Sequence, residues 1–197
     1  MTQHEIFFII GSYLLGSIPV GYLIYFITER KDIRNEGSGN IGATNVWRTK
    51  GKAAAIATLI LDMLKGIIPM VYGLRHFDSP VTVMLGGAAV ILGHLFPIYI
   101  KFKGGKGIAS MAGVFLIFHF PSILVFAVVF CITLYLSKYI SISSIAGVTA
   151  LFFCILFTQI AEVSTVVLVT TVLIIYKHRT NVRRVMAGTE DKSIWKA

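Results

Sequence analysis

The chain is dominated by apolar runs too long for the core of a small water-soluble domain. The first extends from Ile6 to Ile27 and closes on Glu29-Arg30-Lys31-Asp32; the second runs from Ala53 to about Gly73, the third from Val81 to Ile100. A hydrocarbon layer about 30 Å thick is crossed by roughly 20 helical residues, so each run is long enough for one crossing. Apolar sequence resumes at Ile108 and continues to Ser137, with Pro121 interrupting it. That length predicts two crossings, 108–119 and 121–137. The stretch Ile142 to Tyr176 predicts two more, turning near Gln159 and Glu162. The expected fold is an all-α polytopic membrane bundle of about seven transmembrane helices, forming one domain over 1–197. Composition agrees: 56% of the 197 residues are hydrophobic and 14% charged, against roughly 45–50% and 25% in soluble domains. That balance argues against a soluble globular enzyme, and high hydrophobicity excludes disorder.

Charge orients the bundle. With the N-terminus outside, the inside segments are 28–53, 101–107, 138–141 and 177–197, and they hold sixteen of the eighteen Lys and Arg residues, Lys196 among them. Arg75 stays outside and Lys65 falls within a span. This asymmetry follows the positive-inside rule and places the basic C-terminus in the cytoplasm. The net charge of +9 therefore reads as topology and anionic lipid headgroups. Nucleic acid is not an expected partner, because the basic residues are scattered over short loops. Cys131 and Cys154 lie within apolar runs and predict neither disulfide nor metal centre. Glu5 and the length of the first run argue against a cleaved signal peptide. Small residues four apart (Ser12/Gly16, Ser17/Gly21, Ala89/Gly93) predict close helix crossings.

Three inside segments carry more than anchoring charge. The first reads Gly37-Ser38-Gly39-Asn40-Ile41-Gly42-Ala43-Thr44-Asn45-Val46-Trp47-Arg48. Its G-x-G-x-x-G opening is not a dinucleotide fingerprint, since a membrane helix rather than a strand precedes it. Glycines nevertheless let backbone N–H groups approach an anion, with Ser38, Asn40, Thr44 and Asn45 adding donors. Arg48 supplies a planar fork suited to phosphate. The second segment runs from Gly93-His94 through Lys103-Gly104-Gly105-Lys106-Gly107. It fails the Walker A pattern, yet two lysines among glycines ahead of a helix at Ile108 suit a phosphate. The third, Lys177-His178-Arg179-Thr180-Asn181-Val182-Arg183-Arg184, puts His178 and Asn181 one turn apart. Ser143 and Ser144 stand at the inner end of another span. Asp62 and Lys65, three apart inside the second span, are expected to pair with each other. His94 is expected to hold the third span against its neighbours. Glu36, Glu190 and Asp191 form no clustered ligand set with histidine, so neither metal nor cofactor is expected. All these segments fall on one face, which describes a phosphate-binding site at the inner membrane boundary beside apolar helices for a lipid tail.

At these residues the sequence resembles the bacterial acyl-phosphate:glycerol-3-phosphate acyltransferases. The motifs are G-S-G-N-x-G-A-T-N-x-x-R at 37–48, G-H-x-F-P-x-x-x-x-F-K-G-G-K-G at 93–107, and H-R-x-N-x-x-R with a later G-x-E at 178–190. The resemblance covers essentially the whole chain. It implies acyl transfer from an acyl phosphate to the 1-hydroxyl of glycerol 3-phosphate, in the bacterial inner membrane, with lysophosphatidate and phosphate as products. It implies catalytic roles for Ser38, Arg48, Lys106, His178 and Asn181. It implies substrate binding by Gly37, Gly39, Asn40, Thr44, Asn45, Lys103, Gly104, Gly105, Gly107, Ser143 and Ser144. The expected partners are the two substrates and membrane lipid, with no protein partner. The H-x-x-x-x-D motif of the unrelated acyltransferases is absent. The alternatives are an anion or phosphate-ester transporter, against which stands the lack of an internal repeat, and a lipid-phosphate phosphatase.

Overall fold

A computed structural model of the chain describes residues 1–192, and they fold into helices and loops without a strand. They form two compact units, Met1–Phe118 and the remainder from His119. The first unit contains α1 (Gln3–Gly16), α2 (Val20–Glu29), α3 (Ala43–Lys50), α4 (Lys52–His76), α5 (Pro80–Leu95) and α6 (Ile108–Phe118). The second contains α7 (Phe120–Ser137), α8 (Ile140–Thr158), α9 (Ala161–Lys177) and α10 (Arg179–Met186).

Among the described residues, five segments are long and apolar enough to cross a membrane, and counting α9 with α10, bent by 46°, makes six. The expected crossing over 108–119 is α6, whose 11 residues span about 16 Å at 1.5 Å per residue, half the hydrocarbon thickness. Seven full-length spans are therefore not what the helices provide. The first run is also broken. Pro19 lacks an N–H and disfavours helix at the residue before it, so the chain leaves α1 at Ser17 and re-enters helix at Val20. At the break the Ile18 carbonyl accepts from the Val20 N–H at 3.1 Å, and the Lys65 ammonium donates to the Gly16 and Ile18 carbonyls at 3.0 and 2.8 Å. Irregular backbone at membrane depth requires such satisfaction.

Close crossings follow the glycines. A Cβ on Gly16 would strike the Val90 carbonyl, and one on Gly93 the Tyr13 carbonyl, so α1 and α5 meet backbone to backbone. Gly66 and Gly113 do the same for α4 and α6. Gly21 serves a different contact from the helix crossing its spacing suggests: its Cβ would meet the Ile41 carbonyl in the loop ahead of α3. In the second unit, α7 and α8 form a hairpin in which Gly147 packs against the Phe126 ring. α8 ends at Thr158 and α9 begins at Ala161, the turn expected near Gln159. Outward faces remain apolar: Leu136 is 73% and Phe157 82% exposed, a surface stable only against lipid.

Candidate active site

The first motif is built on a pad of apolar side chains. Tyr25, Ile33, Ile41, Val46, Ala55 and Ile100 are buried together, with Tyr22, Trp47 and Ala54 packed around them. Ile33, Ile41 and Val46 anchor the loop and α3, while Ile100 belongs to the second motif. The pad thus brings both phosphate-suited segments of the first unit to one place. Arg34 reinforces the join by donating to the Ile100 carbonyl at 3.4 Å. Its Nε and Nη2 donate to the Asp32 carboxylate and hold that carboxyl below its ordinary pKa.

Asn45 organises the loop. Its side chain is 1% exposed, and its amide nitrogen donates to the Glu36 and Asn40 carbonyls at 3.0 and 2.9 Å. Its Oδ1 accepts from the Ser38 N–H at 2.7 Å. Both amide hydrogens and the Ser38 N–H are therefore occupied within the loop, not held ready as anion donors. Gly37 and Gly39 take φ of +55° and +73°, the left-handed region that lets the chain wrap around Asn45. The wrap leaves Ser38 and Asn40 half-buried. Thr44 and Arg48 stand one turn apart on α3, both half-buried.

In the second motif the loop doubles back on the end of α5. Lys101 and Phe102 take positive φ, and the Phe102 N–H donates to the Pro97 carbonyl at 2.9 Å. The Gly105 N–H donates to the His94 carbonyl at 3.0 Å. A Cβ on Gly104 would strike that same carbonyl, and one on Gly105 would strike the His94 ring. These two glycines are small because α5 is close, and the Gly105 N–H is already engaged; the expected row of anion-facing N–H groups is shorter by one. Gly107, at φ +83°, turns the chain into α6. Lys106 is half-buried and Lys103 exposed.

The third motif lies in the second unit, where the helix bends at His178 rather than running straight. His178 and Asn181 are buried to 2% and 4% exposure. His178 Nδ1 lies 2.8 Å from the Ile174 carbonyl. A carbonyl only accepts, so Nδ1 carries the hydrogen and the neutral ring's lone pair is on Nε2. Asn181 donates to Glu190 at 2.6 Å, and its buried Oδ1 has no hydrogen-bond partner among the described residues. Ser143 and Ser144 donate to the Tyr139 and Ile140 carbonyls of their own helix, which leaves their oxygens as acceptors.

Glu190 is the organising residue that the sequence left in the background. It accepts from Ser141 at 3.0 Å, from Asn181, and from Arg184 at 2.7 Å. The available signal was the spacing of Asn181, Arg184 and Glu190 after His178. Burial works to raise the Glu190 pKa, but the three donors outweigh it and the carboxyl is held below its ordinary value of 4.5. A depressed carboxylate stabilises the fold above that value and loses its contribution as pH falls through the lower, folded-state pKa. The unfolding temperature of the purified protein is thus expected to begin falling below pH 4.5. Glu190→Gln should remove part of that step and lower stability at neutral pH. An unchanged acid profile in the variant would refute the hub.

Comparisons with known proteins agree in scope. The model of the family described as glycerol-3-phosphate acyltransferase matches residues 6–188. A glycerol-3-phosphate acyltransferase of Geotalea daltonii is 43% identical over 189 residues, 95% of this chain and 96% of the other. One from Bacillus velezensis is 40% identical over 190 residues, with 95% and 96% covered. The crystal structure of PlsY, an integral membrane glycerol 3-phosphate acyltransferase, in its glycerol 3-phosphate form is similar with a TM-score of 0.91 at 36% identity, over 96% of this chain and 95% of that one. Its lysophosphatidic acid form gives 0.87 at 34%, with the same coverage.

Proposed function

The chain belongs to the glycerol-3-phosphate acyltransferase family, and on that premise we propose that it transfers a fatty acyl group from an acyl phosphate to the 1-hydroxyl of sn-glycerol 3-phosphate. The observation that carries this reading is the near full-length likeness to PlsY in two forms, one with glycerol 3-phosphate and one with lysophosphatidic acid. These are the acceptor and the acylated acceptor of a single transfer. The donor assignment rests on chemistry. An acyl phosphate is a mixed anhydride with an activated carbonyl and a good leaving group, so a site rich in phosphate-binding cations needs no strong base.

The acceptor oxygen attacks the donor carbonyl, the bond from that carbon to the phosphate oxygen breaks, and inorganic phosphate leaves. Catalysis then consists of neutralising two phosphates, aligning the hydroxyl and stabilising the oxyanion. Lys106, with Lys103 and the remaining N–H groups of 104–107, is assigned to the donor phosphate. Arg48, His178 and Asn181 are assigned to glycerol phosphate. The buried Asn181 Oδ1, costly to leave without a donor, suits a substrate hydroxyl. Ser38, Asn40, Thr44, Ser143 and Ser144 complete the hydrogen bonding, and Asn45, Gly37 and Gly39 shape the loop that presents them. The hydroxyl proton passes to a substrate phosphate oxygen, whose second pKa near 6 suits the role. Acid quenching during turnover should leave no acyl group on Ser38.

The enzyme is placed in the bacterial cytoplasmic membrane with the N-terminus outside and these residues on the cytoplasmic side. The support is the confinement of basic residues to the segments that carry the motifs. The family match spans both compact units, which supports treating the chain as one catalytic domain. The test uses purified protein with palmitoyl phosphate and glycerol 3-phosphate. Lysophosphatidate and phosphate should appear in equal amounts, with no product from acyl-CoA. Phosphate release alone would mean a hydrolase, and no reaction by a folded preparation would move the question to liposome uptake.

A further inference from the structure

Behind the second motif, inside the spanning part of the first unit, lie three ionisable side chains that the reaction above does not use. Asp62, Lys65 and His94 are 1%, 4% and 4% exposed. Lys65 Nζ is 2.9 Å from Asp62 Oδ1, 3.1 Å from His94 Nδ1, and within 3.0 Å of the Gly16 and Ile18 carbonyls. That is four neighbours for three ammonium hydrogens. Asp62 Oδ1 is at ion-pair distance from Lys65 without hydrogen-bond geometry, and 3.6 Å from His94 Nδ1, too long for a hydrogen bond. With the carboxylate balancing the ammonium charge and the ring neutral, the three hydrogens go to the two carbonyls and to His94 Nδ1. The two carbonyl bonds explain Lys65 as the patch for the broken first span. They do not explain why its third hydrogen meets an imidazole.

A histidine that accepts on Nδ1 and stays neutral carries its hydrogen on Nε2. Nε2 is the edge turned to the second motif, because a Cβ on Gly105 would fall directly on it. The His94 main chain holds the same loop, its carbonyl taking the Gly105 N–H at 3.0 Å. One buried residue thus braces Gly105 by ring and backbone, immediately before Lys106.

We propose that His94 is a positioning residue for Lys106, its tautomer and orientation fixed by the Asp62–Lys65 pair. The ring sets the path of Gly104 and Gly105, and so where the Lys106 ammonium meets the donor phosphate. The inference rests on the assignment of Lys106 made above. Second-layer groups of this kind act by holding a ligand-binding group in register, and a displacement of about 1 Å can cost on the order of a hundredfold in rate.

Two amides separate the ring's two edges. Glutamine reaches the Nε2 position, whereas asparagine reaches only that of Nδ1. His94→Gln is expected to retain at least about a third of wild-type kcat/KM, and His94→Asn to lose about tenfold or more. The loss should appear as a raised KM for palmitoyl phosphate, with KM for glycerol 3-phosphate within about twofold of wild type. If His94→Asn does not yield monodisperse protein, Gly105→Ala approaches the same contact from the loop and should show the same KM signature. Equal behaviour of the Gln and Asn variants, or a parallel rise of both KM values, overturns the proposal. Lys106→Ala, assayed alongside, separates the two layers. Wild-type turnover there removes the Lys106 assignment and this inference with it. Loss there beside a fully active, folded His94→Asn removes this inference alone.

Discussion

Replacing Lys106 with alanine is expected to lower kcat/KM for acyl phosphate by about 10²–10³-fold, the scale seen when one charge-stabilising donor is taken from a transition state. The physical basis is the position of this cation on a loop that cannot easily rearrange. Gly105 is fastened to the His94 carbonyl on one side, and Gly107 turns into α6 on the other. An ammonium so placed can meet phosphate oxygens by charge-assisted hydrogen bonds, which are about twice as strong as neutral ones. Arginine should restore only part of the activity, because its wide planar fork does not replace a compact ammonium held between two glycines. Lys103, on the same loop but exposed, should lose far less on truncation, since solvent screens it. Steady-state assays of the three variants in detergent check the order. Equal losses at Lys103 and Lys106 would reduce both to general electrostatic attraction.

The second large effect is expected at Asn45, and it should act through the fold of the loop. Alanine there deletes four hydrogen bonds at once, to Ile33, Glu36, Asn40 and Ser38. The Glu36 carbonyl keeps the Gly39 N–H, but the Asn40 carbonyl and the Ser38 N–H lose the partner that Asn45 gave them. Each unsatisfied buried group costs roughly 1–3 kcal/mol, so the variant should lose about 3–5 kcal/mol of local stability and most of its activity. Asp is no rescue: it keeps the acceptor for Ser38 but turns negative oxygens on the carbonyls. Thr49 provides the control one turn away, since its hydroxyl only donates to the Asn45 carbonyl of its own helix. Thr49→Ala should change stability by no more than about 0.5 kcal/mol. Thermal unfolding and turnover measured together would decide it, and an Asn45→Ala enzyme indistinguishable from wild type would end the argument.

Both predictions concern residues that the motifs single out, but for reasons the motifs do not contain. Asn45 reads in sequence as one more polar donor beside Ser38 and Thr44, whereas the fold turns its amide inward on the loop's own carbonyls. The glycines before Lys106 read as flexible anion-binding backbone, whereas two of them are small because the end of α5 lies against them. Glu190 shows the same limit. Its spacing from Asn181 is visible, but that Ser141, from another helix of the unit, joins them is a contact across 49 residues that no local pattern reports.

What the sequence determined alone was the solvent and the scale. Twenty-residue apolar runs and a one-sided distribution of basic residues imply a helical membrane protein, because local hydrogen bonding within a helix satisfies the backbone in lipid. Those same runs could not give the number of full crossings, since α6 is apolar enough to cross and too short to do so. Nor could they assign Lys65. Its pairing with Asp62 follows from a spacing of three, but its bonds to Gly16, Ile18 and His94 depend on α1, α4 and α5 meeting at glycines. Period and composition act over a few turns of one helix. The partners of a buried charge are set by which helices approach closely, and only the tertiary structure decides that.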